Sequence, residues 1–116
     1  VVTRRLASID RNDIVARVQA ELMDQLPHGN VSDDSVAQAL HMTVRTMHRK
    51  LTGVDNNFRN LLVEMRRNLA EQYIMDNSLT LTEISLLLGF SEPSSFSMAY
   101  KNWTGTAPSE ARQARQ

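Results

Sequence analysis

No cysteine occurs in the 116 residues, which excludes disulfides and every thiolate zinc site and fits a reducing compartment. Aromatic residues make up only 5% of the chain and strand-like alternation is scarce, so an all-α protein is expected. No apolar run approaches ~18 residues and signal-peptide organisation is absent, so no membrane span or leader is expected. A glycine-rich phosphate loop is missing too, and no nucleophile shares a recognisable motif with a base, which leaves enzyme chemistry without support. His28, His41 and His48 lack metal-ligand spacing, and neither a metal nor a cofactor is expected. Even net charge is absent, with 13 cations against 13 acids.

What is present begins with Phe58, Leu61, Leu62, Met65, Leu69 and Tyr73, whose offsets of three and four stripe one side of a helix. The spacing predicts one long helix from about Asn57 to Asp76, roughly 30 Å at ~1.5 Å per residue. Segments on either side repeat each other. Val36 Ala37 Gln38 Ala39 Leu40 His41 Met42 Thr43 matches Ile84 Ser85 Leu86 Leu87 Leu88 Gly89 Phe90 Ser91, 48 residues on. After one inserted residue Met47 aligns with Phe96 and Leu51 with Tyr100, and each copy ends in Thr-Gly. Each copy describes a short helix, a tight turn and a second helix capped by a hydroxyl: a helix-turn-helix.

Punctuation fixes the remaining elements. Asp10 or Asn12 is expected to cap a first helix to about Leu26, with Ile14, Val18, Leu22 and Leu26 facing inward. Ser32 caps Asp33 to Leu40, Thr43 caps Val44 to Leu51, and Gly53 supplies a left-handed C-terminal residue. Thr80 and Glu83 form a capping box, Ser91 caps Glu92 to Trp103, and Pro108 opens a last helix. About seven helices result. The expected organisation is a linker over 1–11, a first unit over 12–55, a linker helix over 56–76, a second unit over 77–113 and a tail over 114–116.

Charge is unevenly spread. Residues 1–40 sum to −2, residues 41–67 to +4 and residues 68–116 to −2. The positive block, Arg45, Arg49, Lys50, Arg59, Arg66 and Arg67 against Asp55 and Glu64, coincides with the second helix of the first repeat. That is where a DNA-facing surface would need it.

Ile84 Ser85, Leu88 Gly89 Phe90, Phe96, Tyr100 Lys101, Trp103 Thr104 Gly105 and Pro108 resemble the C-terminal signature of AraC/XylS-type bacterial transcription regulators. Ala37, Leu40, Met42 Thr43, Met47, Arg49, Leu51, Phe58, Leu62, Arg66 and Ala70 extend the resemblance, which covers about residues 12 to 113. It implies two helix-turn-helix subdomains joined by a long helix and reading two successive major grooves of promoter or operator DNA. It also implies an upstream effector-binding or dimerisation domain, an RNA polymerase partner, a role as activator or repressor, with activator the one expected, and a nucleoid-associated place in the bacterial cytoplasm. The start at Val1 agrees with a missing upstream domain. Two departures stand out: Met98 where such regulators often have arginine, and Ala111 where an aromatic is usual.

Helical phase assigns roles within each unit. With Met47 and Leu51 inward, Arg45, Thr46, His48, Arg49 and Thr52 face or flank the base edges. With Phe96 and Tyr100 inward, Ser94, Ser95, Ser97, Met98 and Lys101 face out. Arginine is the best guanine reader, so the first unit is expected to dominate. Thr43, Lys50, Arg66, Arg67 and Ser91 are candidate phosphate contacts, although Arg66 or Arg67 could equally pair with Glu64, Glu71 or Glu83. Trp103, Phe90, Phe96 and Tyr100 read as core rather than a base-stacking platform, and Met23, Met42, Met47, Met65 and Met75 as core filler. A helical protein-interaction module without DNA binding is the rival reading.

Overall fold

Five helices begin the same way: the side chain of Asp13, Ser32, Thr43, Asn57 or Thr80 accepts the N–H three residues on, satisfying one of the donors a first turn leaves unpaired. The computed structural model describes residues 13–114. Helix α1 spans Ile14–Gln25, followed by one 3₁₀ turn at Leu26–His28. Then come α2 (Asp33–Ala39), α3 (Val44–Thr52), α4 (Phe58–Ile74), α5 (Leu81–Leu87), α6 (Pro93–Thr104) and α7 (Pro108–Ala114). The all-α expectation holds: there are seven α-helices and no strand among the described residues.

Local chemistry explains where boundaries differ. Asp10 and Asn12 lie outside the described residues, and the first cap is Asp13. The linker helix α4 has 17 residues, about 25 Å at 1.5 Å per residue. It ends early because Asp76 Oδ1 accepts from both the N–H and the hydroxyl of Ser78, which favours a turn. Gly53 stays right-handed at φ −63, and the left-handed residue is Asp55 at φ 57. Ser91 caps nothing: Pro93 holds Glu92 extended, so Glu92 takes the cap position without a side-chain bond. Here lies the residue inserted into the second repeat.

Two apolar clusters meet along α4. Val18, Leu22, Met47, Leu51 and Leu61 are central to the first, and Leu69, Ile74, Ile84, Phe96 and Tyr100 to the second. Val31, Leu62 and Met65 pack against both. Leu26, expected inside the first unit, is fully buried in the second cluster. The 3₁₀ turn swings it there, so the units share a wall. Met23 and Met75 are not core filler: they are 52% and 64% exposed, at the edges of their stripes.

Candidate nucleic-acid interface

The two turns share three equivalent backbone bonds. In the first, the N–H groups of Leu40, His41 and Met42 reach the carbonyls of Val36, Gln38 and Ala37. In the second, those of Leu88, Gly89 and Phe90 reach Ile84, Leu86 and Ser85, each acceptor 48 residues further on. His41 and Gly89 hold the same left-handed place, at φ 60 and φ 82. The pairing of the bond from Met42 or Phe90 with a left-handed residue is the Schellman closure, which turns the chain sharply into the next helix. The sequence repeat is thus a repeat of geometry. Its extent is larger than the sequence showed: Arg17 on α1 donates to Leu40 O at 3.4 Å, and Arg66 on α4 donates to Leu88 O at 2.8 Å. Each unit is therefore three helices, with α4 serving as the first helix of the second.

On α3 the inward residues Met47 and Leu51 are fully buried, while Arg45, His48, Arg49, Lys50 and Thr52 are exposed. Thr46 is half-buried, and its oxygen accepts the Thr43 hydroxyl at 3.0 Å while retaining its own proton as a donor. Thr43, exposed, also accepts the N–H of Thr46. His48 Nε2 lies 3.3 Å from Asp33 Oδ2, so its ring leans back towards α2. Arg45, Arg49, Lys50 and Arg67 have no carboxylate within ion-pair distance among the described residues.

On α6 Phe96 and Tyr100 are buried, and Ser94, Ser95, Ser97, Met98 and Lys101 are exposed, Met98 at 69%. Ser91 is exposed at the turn, one residue before Glu92. The Ser94 hydroxyl lies 3.5 Å from a Glu92 carboxylate oxygen, which puts an acid at the leading edge of this helix. The buried Ser85 hydroxyl donates to Glu92 O at 3.2 Å and ties α5 to the start of α6.

A helix-turn-helix domain model matches residues 36–114, from α2 to the end of α7. This chain belongs to the AraC-type helix-turn-helix family. It is 35% identical over 111 residues to the ornithine utilization regulator of Pseudomonas aeruginosa, covering 94% of this chain and 32% of that protein. It thus spans about a third of that regulator's length. Among solved structures it resembles an AraC-type DNA-binding-domain regulator of Chromobacterium violaceum, with TM-score 0.73, 23% identity and coverage of 88% and 91%. It also resembles the DNA-binding domain of AdpA, crystallised with a target DNA, with TM-score 0.73, 21% identity and coverage of 86% and 90%. At these identities the two likenesses establish the fold.

Against the AraC-type pattern, the two departures have visible settings. Met98 is exposed on the outer face of α6. Ala111 is buried and, with Tyr100 and Thr106, lines a solvent-open hollow of about 270 Å³. Two roles were missed in the sequence. Arg66, expected at a phosphate or a carboxylate, instead binds the carbonyls of Leu88 and Gly89 and lies 4.3 Å over the Phe90 ring. Its burial lowers its pKa below the ordinary guanidinium value. Arg112, not singled out, binds four carbonyls at the end of α4. Carbonyl acceptors leave no side-chain signature, so no spacing rule finds either residue.

Proposed function

We propose that the chain is the DNA-reading part of a transcription regulator, which places the outward faces of α3 and α6 in two successive major grooves on one side of a duplex. The observation that carries this reading is the paired arrangement of two turns with three equivalent backbone bonds, each followed by a helix whose inner side is buried and whose outer side is mostly polar. Arg45, Thr46, His48, Arg49 and Thr52 read bases from α3. Ser94, Ser95, Ser97, Met98 and Lys101 do so from α6, while Thr43, Lys50, Arg67 and Ser91 meet phosphates. Arg66 leaves that set because its Nε and Nη2 are committed to the Leu88 and Gly89 carbonyls and its head lies over Phe90.

Chemistry ranks the two readers. Arg45 and Arg49 present unpaired guanidinium forks, each suited to guanine O6 and N7 and worth ~1 to 3 kcal/mol of discrimination. The second helix offers hydroxyls, a thioether and one ammonium, with Glu92 set to repel phosphate at its start. Arg45→Ala is therefore expected to weaken binding to a selected duplex by about tenfold or more, and Ser95→Ala by less. Fluorescence anisotropy at matched salt measures both. Equal losses, or a larger one for Ser95→Ala, would contradict the ranking.

The same reading divides the chain into a linker at 1–11, a first unit over 12–55 and a second over 77–113, to which the linker helix over 56–76 contributes the first helix. An effector-binding or dimerisation domain upstream, RNA polymerase as a protein partner and a bacterial cytoplasmic setting complete it. No helix among the described residues is long and apolar enough to cross a membrane.

A further inference from the structure

We infer that Arg66 is a positioning residue: it sets the angle between the two recognition helices and so the half-site spacing that the chain accepts. The inference rests on the DNA-binding reading above. Both readers lean on α4 only a turn and a half apart: Met47 and Leu51 of α3 share a buried cluster with Leu61, and Arg66 holds the turn that leads into α6. The Arg66 side chain gives Nε to Leu88 O at 2.8 Å and Nη2 to Gly89 O at 3.3 Å. Its plane lies 4.3 Å over Phe90, whose ring touches Phe96 at 5.9 Å and Trp103 at 6.4 Å, both on α6.

Apolar burial is non-directional and tolerates a helix sliding or rotating on its neighbour. Two charge-assisted bonds from a rigid fork, plus a stacked ring, fix direction as well as distance. The first unit lacks this device. There Arg17 reaches Leu40 O through one 3.4 Å contact, and Met42 stands where Phe90 does. Gly89 lets the backbone come close to Leu26 beside the fork: an added Cβ would sit 3.1 Å from Leu26 O and just in contact with Arg66 Nη2, at 3.4 Å. The joint thus brings the 3₁₀ turn after α1, α4 and the turn that leads into α6 together at a single point.

The test uses the full chain and a duplex it selects from a random pool, together with derivatives carrying one base pair more or fewer between half-sites. Wild type is expected to prefer the selected spacing by about tenfold or more. Arg66→Met keeps the aliphatic stem but is expected to shrink that preference to below about threefold, with Arg66→Lys between them. The slope of log affinity against log salt stays unchanged, because Arg66 neutralises no phosphate. An unchanged spacing preference overturns the inference. So does a slope shallower by about 0.9, the signature of one lost phosphate contact. Should circular dichroism show Arg66→Met unfolded, Arg66→Lys decides on the same two readouts. Failure of wild type to select any duplex strikes the DNA-binding reading itself, and the inference falls with it.

Discussion

Replacing Arg112 by alanine is expected to remove about 3 kcal/mol of unfolding free energy, as hydrogen bonds to a charged group contribute ~1.5 to 3 kcal/mol each and do not add fully. From α7 its Nε donates to Ile74 O at 3.1 Å and Nη1 to Leu79 O at 2.7 Å, while Nη2 serves Tyr73 O and Asp76 O at 3.2 Å each. Those carbonyls close the linker helix and the turn after it, where intrahelical donors run out. A cation there also complements the negative end of the helix dipole. Truncation would leave the carbonyls competing for water in a half-buried site and would loosen α7 from α4. Chemical denaturation of Arg112→Ala against wild type measures the loss. Arg112→Lys should recover less than half, because one ammonium cannot span four acceptors. A loss below about 1 kcal/mol would show that the four contacts are incidental.

Gly89→Ala is expected to cost about 2 to 3 kcal/mol, combining left-handed strain with a forced displacement of the backbone beside it. Gly89 has φ +82, and the new Cβ would meet Leu26 O at 3.1 Å and Leu26 Cδ2 at 3.2 Å, neither the free end of a long side chain. The equivalent His41, at φ 60, is exposed. His41→Gly should change stability by only about 0.5 kcal/mol, because relieved strain and the added freedom of the unfolded chain nearly cancel. One turn thus has two tolerances, and the difference lies in what presses on it. The first turn is open to solvent, whereas the second is clamped between Leu26 of the first unit and Arg66. Paired denaturation curves test this, and matching small losses would mean that the second turn is as free as the first.

The pattern of success and failure in reading the sequence follows from distance along the chain. Caps at Ser32, Thr43 and Thr80 were legible because a hydroxyl and its N–H partner are three residues apart. The buried stripe of α3 and α6 was legible because helical phase repeats every few residues. Gly53 misled because composition marks a site where a left-handed residue is cheap, while the chain bends two residues later, at Asp55. Ser91 misled because Pro93 moved the cap to Glu92. Contacts spanning 22 to 39 residues, from Arg66 and Arg112 to backbone carbonyls, have no periodic trace at all. The same holds for Leu26, which a single 3₁₀ turn transfers from one core to the other. Leu26 joins the two units while Arg66 and Arg112 brace the second, so the sequence showed the two grips and hid what holds them together.

Hydroxyl-radical and guanine-methylation footprinting of the full chain on a duplex it selects tests the central claim most directly. Two protected major grooves on one face, their centres about 10 to 10.5 base pairs apart, with stronger guanine protection in the half-site read by α3, is the expected result. Protection of a single groove, or of two grooves on opposite faces, would contradict it.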